Sequence, residues 1–475
     1  MSTFSGLNTA YTALIAARRG LDVVGQNIAN ATTEGYTRQR VTTSSVGSVA
    51  QVGPLSATVQ VGQGVSVDGI ARLGNIFLDA RVQESAATSG YWAVRANTMS
   101  ALEMGLQEPG ENGISAGLQQ FWAGWQDLAN RPGESAPAGI LLEKAGVLTS
   151  QIASGYQAVD TQWTQLRSQL SGMATELNDA ASQVAELNGQ IREAKANGSS
   201  VNELLDHRGL LTTTISALSG ASVRHLDDGT AEVLIAGNAI VSGDTFRPIA
   251  VLGSAHLAGS ATDPVRLEWA HRPGATVSLD AGEMAGAISM LAPPAGGTGG
   301  ALAEAAEQYN LFATELATAV NAVHSTGYTA GGATGLDFFA IDPDPSVPAA
   351  LGLSVIPTDV GGLATATAGA GPRDGSNADA IAALGTGDSA PDNVWSSFVT
   401  RTGMAARSDM QQAVLGELAA SAAVSNQLSH ASVDLDEENI NMLTHQVAYQ
   451  GAARVMTAID EMLDTLINRT GIVGR

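Results

Sequence analysis

Cysteine is absent from the 475 residues of this sequence, and lysine is almost absent. The lack of cysteine excludes disulfides, thiolate metal sites, iron–sulfur clusters and a cysteine nucleophile. Only two of the 23 basic residues are lysines, against 46 acidic residues, and the formal net charge is −23. This balance argues against nucleic acid or an anionic membrane as a general binding partner, because little in the chain neutralises phosphates.

Aromatic residues and long apolar runs are also scarce. Aromatics make up 4% of the chain, whereas 54 residues are glycine. Such a composition favours long, closely packed helices and thin sheets over one bulky core. No stretch approaches the roughly 18 uninterrupted apolar residues of a membrane span. The segment from Met1 to Gly20 lacks the cationic head, apolar run and cleavage site of a secretory signal, so we expect neither membrane insertion nor a cleavable signal.

Both ends of the chain show the three- and four-residue spacing of one apolar helical face. The N-terminal stripe consists of Leu7, Tyr11, Leu14, Leu21, Val24 and Ile28. The C-terminal stripe consists of Ile440, Leu443, Val447, Val455, Ile459, Met462 and Leu466. A lone amphipathic helix cannot bury its stripe, and the simplest partner for one terminal helix is the other. Packing of each helix onto the body of the protein is the alternative that periodicity leaves open.

Residues typical of helix ends mark the limits of these two helices. Asn30 and the threonines after it break the first helix, and Gly35 then supplies a residue that tolerates a positive φ. Asp434, with Glu437 three residues later, forms a variant of the capping box and predicts the start of the second helix. Gly471 predicts its end.

The middle of the chain contains an unbroken heptad pattern. Its positions are Ile152, Tyr156, Val159, Trp163, Leu166, Leu170, Met173, Leu177, Ala180, Val184, Leu187 and Ile191. This seam covers roughly 60 Å at 1.5 Å per residue and predicts a long helix in a bundle or coiled coil. Further helical periodicity covers the stretches 72–107, 114–130, 201–218, 299–325 and 393–430.

Between residues 221 and 280 the pattern changes from helices to strands. Alternating residues on both sides of the turn at 227–229 predict a hairpin, and we expect a small β domain inserted in a helical body. The stretch 327–384 is rich in Gly, Ala, Pro and Asp and predicts loops with short strands. Its strand candidate runs from Leu351 to Ile356.

The predicted fold is mainly α with β. It has a coiled-coil layer of the terminal helices, a long helical-bundle rod domain and a small inserted β domain. The predicted divisions are a terminal domain of 1–60 plus 431–475, a rod domain of 61–220 plus 281–326 plus 385–430, a β domain of 221–280, and a loop and short-strand region of 327–384 attached to the rod or β domain.

Candidates for chemistry are weak throughout the chain. Ser115 lies in a Gly-x-Ser-x-Gly pattern, but it follows a loop and not the strand that a hydrolase nucleophile needs. It is more simply a residue near the N-terminus of a helix. The seven histidines include no pair spaced for a helical metal site. We therefore predict no catalytic residue, no metal site and no cofactor, which favours a structural or assembly protein over an enzyme.

The segment from Asn27 to Arg40 resembles the N-terminal signature of the bacterial flagellar axial proteins, the family of rod, hook and hook-associated proteins. The matching residues are Asn27, Ala29, Asn30, Thr33, Gly35, Tyr36, Arg38 and Gln39. The run 36–39 is similar to the hook-associated branch that forms the first ring at the hook–filament junction. The stretches 335–339 and 433–455 resemble an internal motif and the last helix of that branch.

This resemblance implies an inner coiled-coil layer lining the export channel, with the rod domain outside it and a β-rich domain facing solvent. The implied partners are further copies of the chain in a helical ring, the hook protein, the second hook-associated junction protein, and a flagellar export chaperone at the C-terminal region. The implied location is the extracellular flagellum, reached from the cytoplasm through the flagellar type III export apparatus.

A hypothesis for assembly follows from the two stripes. We expect them to be largely disordered in the monomer and to become buried against each other and adjacent subunits, so that folding free energy appears as assembly free energy. For Tyr36, Arg38 and Gln39, contact with the subunit below and a short extended segment remain equally open. The rival functions are another axial protein, such as the second junction protein or the hook subunit, and an exported enzyme with its catalytic part in 221–390.

Overall fold

The computed structural model describes residues 3–47, 62–387 and 390–469. The helices are α1 (Thr3–Ala29), α2 (Ile76–Gly105), α3 (Ile114–Asn130), α4 (Ser135–Ala196), α5 (Asn202–Ser219), α6 (Glu283–Leu291), α7 (Ala301–His324), α8 (Ala349–Gly352), α9 (Ser376–Ala382), α10 (Pro391–Ala431) and α11 (Leu435–Asp464). A π-helical turn at Thr465–Arg469 continues α11. The predicted helical stretches coincide closely with α2, α3, α5, α7 and α10.

The strands are short and pair only antiparallel within the part of the chain that the structure describes. They are β1 (Gln39–Ser45), β2 (Val65–Arg72), β3 (Ser222–His225), β4 (Ala231–Ile235), β5 (Asn238–Ser242), β6 (Thr245–Phe246), β7 (Ile249–Leu252), β8 (Arg266–Trp269), β9 (Thr276–Val277), β10 (Tyr328–Thr329), β11 (Phe339–Ala340), β12 (Ser354–Val355) and β13 (Ala364–Ala366). The sheet orders are β1–β2, β3–β4–β5–β6, β7–β8–β9, β10–β13 and β11–β12. The predicted mainly α fold with small β elements is confirmed.

Helix α4 forms the spine of the molecule. Every predicted heptad position on it is buried except Met173, and at that turn the neighbouring Ala174 is buried instead. The seam contacts several helices and not a single coiled-coil partner, since α3, α5, α6 and α7 all pack against α4. A regular seam can therefore serve a bundle whose partners change along its length.

Helices α2 and α10 run antiparallel along the rod. Gln427 near the end of α10 donates to the Asp79 carboxylate near the start of α2, and Arg95 pairs with Asp409 midway along both helices. The Arg95 guanidinium lies 5.5 Å from the centre of the Trp92 ring, which adds a cation–π contact. These contacts fix the two helices along their length.

The region 327–384 packs against the helices of the rod. Phe338 is fully buried between Phe121 and Trp125 of α3, with ring centres 5.8 and 5.1 Å away. The predicted strand from Leu351 to Ile356 is only partly correct, because its first two residues end α8 and only the strand β12 follows. The motif stretch 335–339 thus contributes to the rod core.

The β region of 221–280 has no separate core. Its buried strand residues belong to the same apolar cluster as α4. Asn188 of α4 accepts from the Ala231 N–H at 2.9 Å and donates to the carbonyls of Ala231 and Gly243 at 2.8 Å. The predicted hairpin is present as β3–β4, and the predicted small β region is a lobe that lies along α4. Sheets of such short strands are unstable alone and need a helix to cover one face.

The terminal segments form a layer of their own. Helix α1 ends at Ala29 as predicted, and the Asp434 side chain caps α11 by accepting from the N–H groups of Asp436 and Glu437. The predicted end at Gly471 and the predicted domain boundary at residue 60 lie outside the described residues. Strand β2, which follows that boundary, pairs with β1 in a hairpin against α1, so we place the domain boundary after Arg72.

Candidate assembly interface and junction network

Helices α1 and α11 pair through a seam of small side chains on α1. The seam recurs every three or four residues as Gly6, Ala10, Ala13, Ala17, Gly20, Val24 and Asn27. A Cβ atom on Gly6 would lie 3.3 Å from the Ile459 side chain, and one on Gly20 would lie 2.5 Å from the His445 ring. The backbone of α1 therefore approaches α11 closely.

Three contacts define the antiparallel register of this pair. From Gly6 to Gly20 is fourteen residues forward along α1, and from Ile459 to His445 is fourteen residues back along α11. Seven more residues in each direction reach Asn27 and Glu438, which are hydrogen-bonded. The register is thus constant along roughly six turns of each helix, at 3.6 residues per turn.

The predicted stripes lie beside this seam, not in it. On α11, the residues Ile440, Leu443, Val447, Val455, Met462 and Leu466 are between 51% and 65% exposed. On α1, Tyr11 is exposed and Leu7, Leu14, Leu21 and Ile28 are half-buried. Of the predicted residues only Val24 and Ile459 are buried. The expectation that the two helices pair is correct, but the face that joins them carries small and polar residues.

This difference has a physical cause. Large apolar residues dominate the hydrophobic periodicity of a helix. Glycine and alanine contribute little to that periodicity, but their small side chains let two helix axes approach closely while burying little area per residue. The signal for the true seam was present, because Gly6, Ala10, Ala13, Ala17 and Gly20 follow the same four–three spacing.

Asn27 is the centre of a buried polar network, the junction network, formed by Asn27, Tyr36, Arg38, Gln39 and Glu438. Its side chain is 1% exposed and makes four hydrogen bonds. The amide nitrogen donates to the Gln39 carbonyl at 2.9 Å and to a Glu438 oxygen at 3.0 Å. The amide oxygen accepts from the Gln39 N–H at 3.0 Å and from the Tyr36 hydroxyl at 2.9 Å. All of its hydrogen-bonding capacity is used.

Arg38 joins the first turn of α11 to the segment after α1. Its guanidinium donates to Glu438 at 2.7 and 2.8 Å and to Glu437 at 2.8 and 2.9 Å. The hydrogen bond to Glu437 is the main reason that the pKa of Arg38 is raised, and the same bond lowers the pKa of Glu437. Glu438 is 1% exposed, so its charge depends on Arg38 and Asn27 for compensation.

The same motif also contacts the rod. The Thr37 N–H donates to Asp206 of α5 at 3.1 Å, and Asn202 of α5 donates to the Gln39 side-chain oxygen at 3.1 Å. Burial raises the pKa of Tyr36 to about 12, with a contribution from the Asp206 carboxylate. In this chain Tyr36, Arg38 and Gln39 therefore make contacts within one molecule, between the terminal pair and the rod.

The remaining motif residues shape the exit from α1. Asn30 donates to the Gln26 carbonyl at 3.0 Å and accepts from the Thr33 hydroxyl at 3.2 Å. These two hydrogen bonds close the C-terminal end of α1, where Ala29 is exposed. Gly35 has a φ of +75°, and a Cβ atom there would lie 2.6 Å from Leu210. Both facts require glycine at this position.

A further exposed apolar face lies on α10. Its exposed large side chains are Met404, Met410, Val414, Leu415, Leu418, Val424 and Leu428. Between Arg407 and His430 the helix carries only two charged residues, of which Asp409 is buried against Arg95 and Glu417 accepts from Ser89. The sequence signal was this scarcity of charge, which a search for apolar spacing alone does not register.

Nothing in the geometry assembles an active site around Ser115. It lies in the first turn of α3, where its backbone N–H donates to Glu108 at 2.7 Å. Across residues 3–47, 62–387 and 390–469, no three His, Asp or Glu side chains are grouped to hold a metal ion. Nor does any helix in those ranges have the length and apolar character to span a bilayer.

Three family models match the chain. The model described as "Flagellar hook-associated protein FlgK helical domain" matches residues 99–339, just over half of the sequence. This chain belongs to the FlgK family. A model of the flagella basal body rod protein matches 7–37, which covers most of α1 and the motif as far as Thr37. A model of the flagellar basal body rod FlgEFG protein C-terminal region matches 424–469, which covers α11.

Individual relatives agree with membership of the FlgK family. Flagellar hook-associated protein 1 of Bacillus subtilis is 28% identical over 513 aligned residues that cover the whole of both chains. The protein of the same name from Salmonella typhimurium is 29% identical over 345 residues, 70% of this chain and 59% of that one. The predicted hook-associated branch is confirmed.

A solved structure shares the fold. The flagellar hook junction protein FlgK from Burkholderia pseudomallei superposes with a TM-score of 0.61 at 16% identity, over 75% of this chain and 100% of that one. At this identity the likeness concerns the fold alone.

Proposed function

We propose that this chain is a structural subunit of the bacterial flagellum that forms the first junction ring between hook and filament. The observation that carries the proposal is the exposed apolar stripe on α11, together with the exposed Tyr11 and Ile15 of α1, in a member of the FlgK family. Soluble monomers rarely leave such contiguous apolar surface uncovered, and helical stripes of this kind mark contacts with other chains. Neighbouring copies in the ring are the occupants that we assign to it.

The energetics favour a pairing of α1 and α11 that becomes stable only when the chain is incorporated into the ring. The seam between α1 and α11 consists mostly of glycine and alanine, so it buries little apolar area. Covering the exposed part of the six large side chains of the C-terminal stripe would add roughly 5–10 kcal/mol, at about 1.5–3 kcal/mol per fully buried side chain. Contact with neighbours therefore adds to the free energy that orders the pair, and the entropy cost of ordering the terminal helices opposes premature polymerisation.

The α10 face supports a second contact in the rod layer. A chain of net charge −23 repels its own copies wherever its surface is acidic. The α10 face between Arg407 and His430 is apolar and nearly uncharged, so two copies can approach there without this repulsion.

The remaining parts of the proposal concern partners and place. The chain would contact the hook protein on one side of the ring and the second hook-associated junction protein on the other. Before export, a flagellar chaperone would cover the exposed α11 stripe in the cytoplasm. Export through the flagellar type III apparatus would then deliver it to the extracellular flagellum.

Substitutions on the α11 stripe test this interface. We expect Leu443→Asp or Val447→Asp to abolish incorporation into flagella, because a carboxylate would be buried between copies, while the rod keeps its helical circular-dichroism spectrum. Gln446→Asp is the matched control, since it adds the same charge at an exposed position away from the stripe. Normal incorporation of the stripe variants would contradict the proposed interface.

Electron microscopy of cells that lack the gene tests the place in the flagellum. We expect hooks without filaments and unpolymerised flagellin in the medium. Absence of hooks would move the assignment to the rod or hook. Normal filaments would count against any junction role, and a Ser115-dependent turnover of peptide, glycan or ester substrates would then favour an exported enzyme.

A further inference from the structure

Most of the seam between α1 and α11 does not distinguish one register from another by shape. Gly6, Ala10, Ala13, Ala17 and Gly20 are nearly equivalent in size. Sliding α11 by one heptad, roughly 10 Å at 1.5 Å per residue, would place another small-residue surface in the same groove. Something other than apolar packing must select the observed register.

We propose that the junction network is a register lock, in which Asn27 and Arg38 select the position of α11 by binding the buried carboxylate of Glu438. They are positioning residues, and their role deepens the proposed assembly function because the lock fixes the position of the exposed α11 stripe. The selection itself is a property of one chain.

The hydrogen bonds give the lock its specificity. Both oxygens of Glu438 are occupied, one by Arg38 at 2.7 and 2.8 Å and the other by Asn27 at 3.0 Å. A slip of one heptad would place His445 opposite Asn27 or move Glu438 opposite Gly20. In either case a carboxylate that is 1% exposed would lose its partner on α1, and an unpaired buried charge is strongly unfavourable.

A second contact prefers the same register. Gly20 is one heptad from Asn27, and it is the position where the His445 ring lies against the α1 backbone. The ring fits because glycine has no Cβ atom. In a register shifted by one heptad, His445 would meet either Ala13, whose methyl group fills that space, or Asn27.

The lock is itself held by the rod. Thr37 and Gln39, on either side of Arg38, are hydrogen-bonded to Asp206 and Asn202 of α5. The Arg38 N–H also donates to the Ala431 carbonyl at the end of α10, at 2.9 Å. Arg38 is therefore a fixed reference on the rod, and the register of α11 is set relative to the whole body.

Disulfide trapping tests the lock, and the natural absence of cysteine gives a clean background. In the purified full-length chain, Ala13→Cys with Ala452→Cys reports the observed register. Gly6→Cys with Ala452→Cys and Ala13→Cys with Ile459→Cys report slips of one heptad in either direction. Oxidation traps each paired state even where it is a minor population. We expect the observed-register cross-link to exceed either slipped one by about tenfold or more.

Arg38→Leu combined with Glu438→Leu removes the lock without leaving a buried charge unpaired. We expect the helices still to pair, but the ratio of observed to slipped cross-links to fall to within about threefold. Arg40→Leu with Glu461→Leu is the matched control, because it makes the same changes at exposed positions outside the network. Its ratio should stay that of the parent.

Two outcomes would overturn the register lock. One is an unchanged cross-link ratio in the Arg38 and Glu438 double variant. The other is failure of the parent to form the observed-register cross-link above the slipped ones. Neither readout needs flagella, so a chain that keeps its lock but is not incorporated contradicts the proposed function and leaves the lock intact.

Discussion

Gly20 is the glycine of α1 at which an added Cβ atom would lie nearest to α11, 2.5 Å from the His445 ring, and its substitution is a sharp test of their pairing. We expect Gly20→Ala to destabilise the pair by about 1–3 kcal/mol, because the added methyl group overlaps the His445 ring. Hydrogen exchange of the α1 amides, read by mass spectrometry, measures the free energy of opening.

Gly25→Ala is the control for this prediction, since nothing lies within 4 Å of a Cβ atom at that position. Its higher helix propensity should stabilise α1 by up to about 1 kcal/mol. Adding His445→Ala to the Gly20→Ala chain should restore part of the loss. Equal effects of the two alanine substitutions would argue against a close contact at Gly20.

Tyr36 gives the junction a dependence on alkaline pH. Its pKa is raised from 10 to about 12, so between these values the folded chain keeps a proton that the unfolded chain has lost. The contribution of Tyr36 to stability is complete below pH 10 and is lost as the pH rises through about 12. Tyr36→Phe should flatten this part of the urea-midpoint profile and cost about 1 kcal/mol at neutral pH for the lost hydrogen bond.

Tyr11→Phe is the control for the pH profile, because Tyr11 is exposed on the same terminal pair. Its urea midpoints should follow those of the parent from pH 9 to 12. A parent-like slope in Tyr36→Phe would mean that other groups cause the alkaline loss.

At the scale of elements, Asn188 holds the β lobe on α4. We expect Asn188→Ala to destabilise the protein by about 3 kcal/mol or more. The change leaves the Ala231 N–H, the Gly243 carbonyl and a bond of the buried Arg208 guanidinium without their partner. Denaturant unfolding gives the free energy, and Gln190→Ala, at an exposed position on the same helix, should change it little. A loss confined to local exchange in β3–β6 would show that the lobe detaches alone.

Some features of the helices could be predicted from the sequence, and others could not. The long seam of α4, the limits of α1 and the cap at Asp434 were predictable, because each follows from local spacing or local chemistry. The seam of α1 was harder to predict, because glycine and alanine carry little hydrophobic signal even though they follow the four–three spacing. The partnership of Asn27 with Glu438 joins residues more than four hundred positions apart, and no local pattern indicates such a contact.

At the scale of the molecule, the net charge of −23 opposes association of copies. We expect self-association of the purified chain to strengthen with salt, because the Debye length falls from about 10 Å at 0.1 M to about 3 Å at 1 M while apolar contacts persist. Sedimentation velocity at the two salt concentrations measures it. Leu443→Asp should reduce association at both, and weaker association at high salt would indicate that polar contacts dominate.

The bond between the Arg38 N–H and the Ala431 carbonyl brings the outgoing and returning chain together at one point. The residues between Arg38 and Ala431 form a loop whose ends are fixed. Lengthening such a loop costs entropy only in proportion to the logarithm of its length. Chain can therefore be gained or lost between residues 38 and 431 while α1 and α11 stay paired. The Salmonella relative, of which this chain aligns with only 59%, has a length compatible with such growth. For protein engineering, the exposed turns of the rod and the β lobe are accordingly the natural sites for a reporter or an affinity tag.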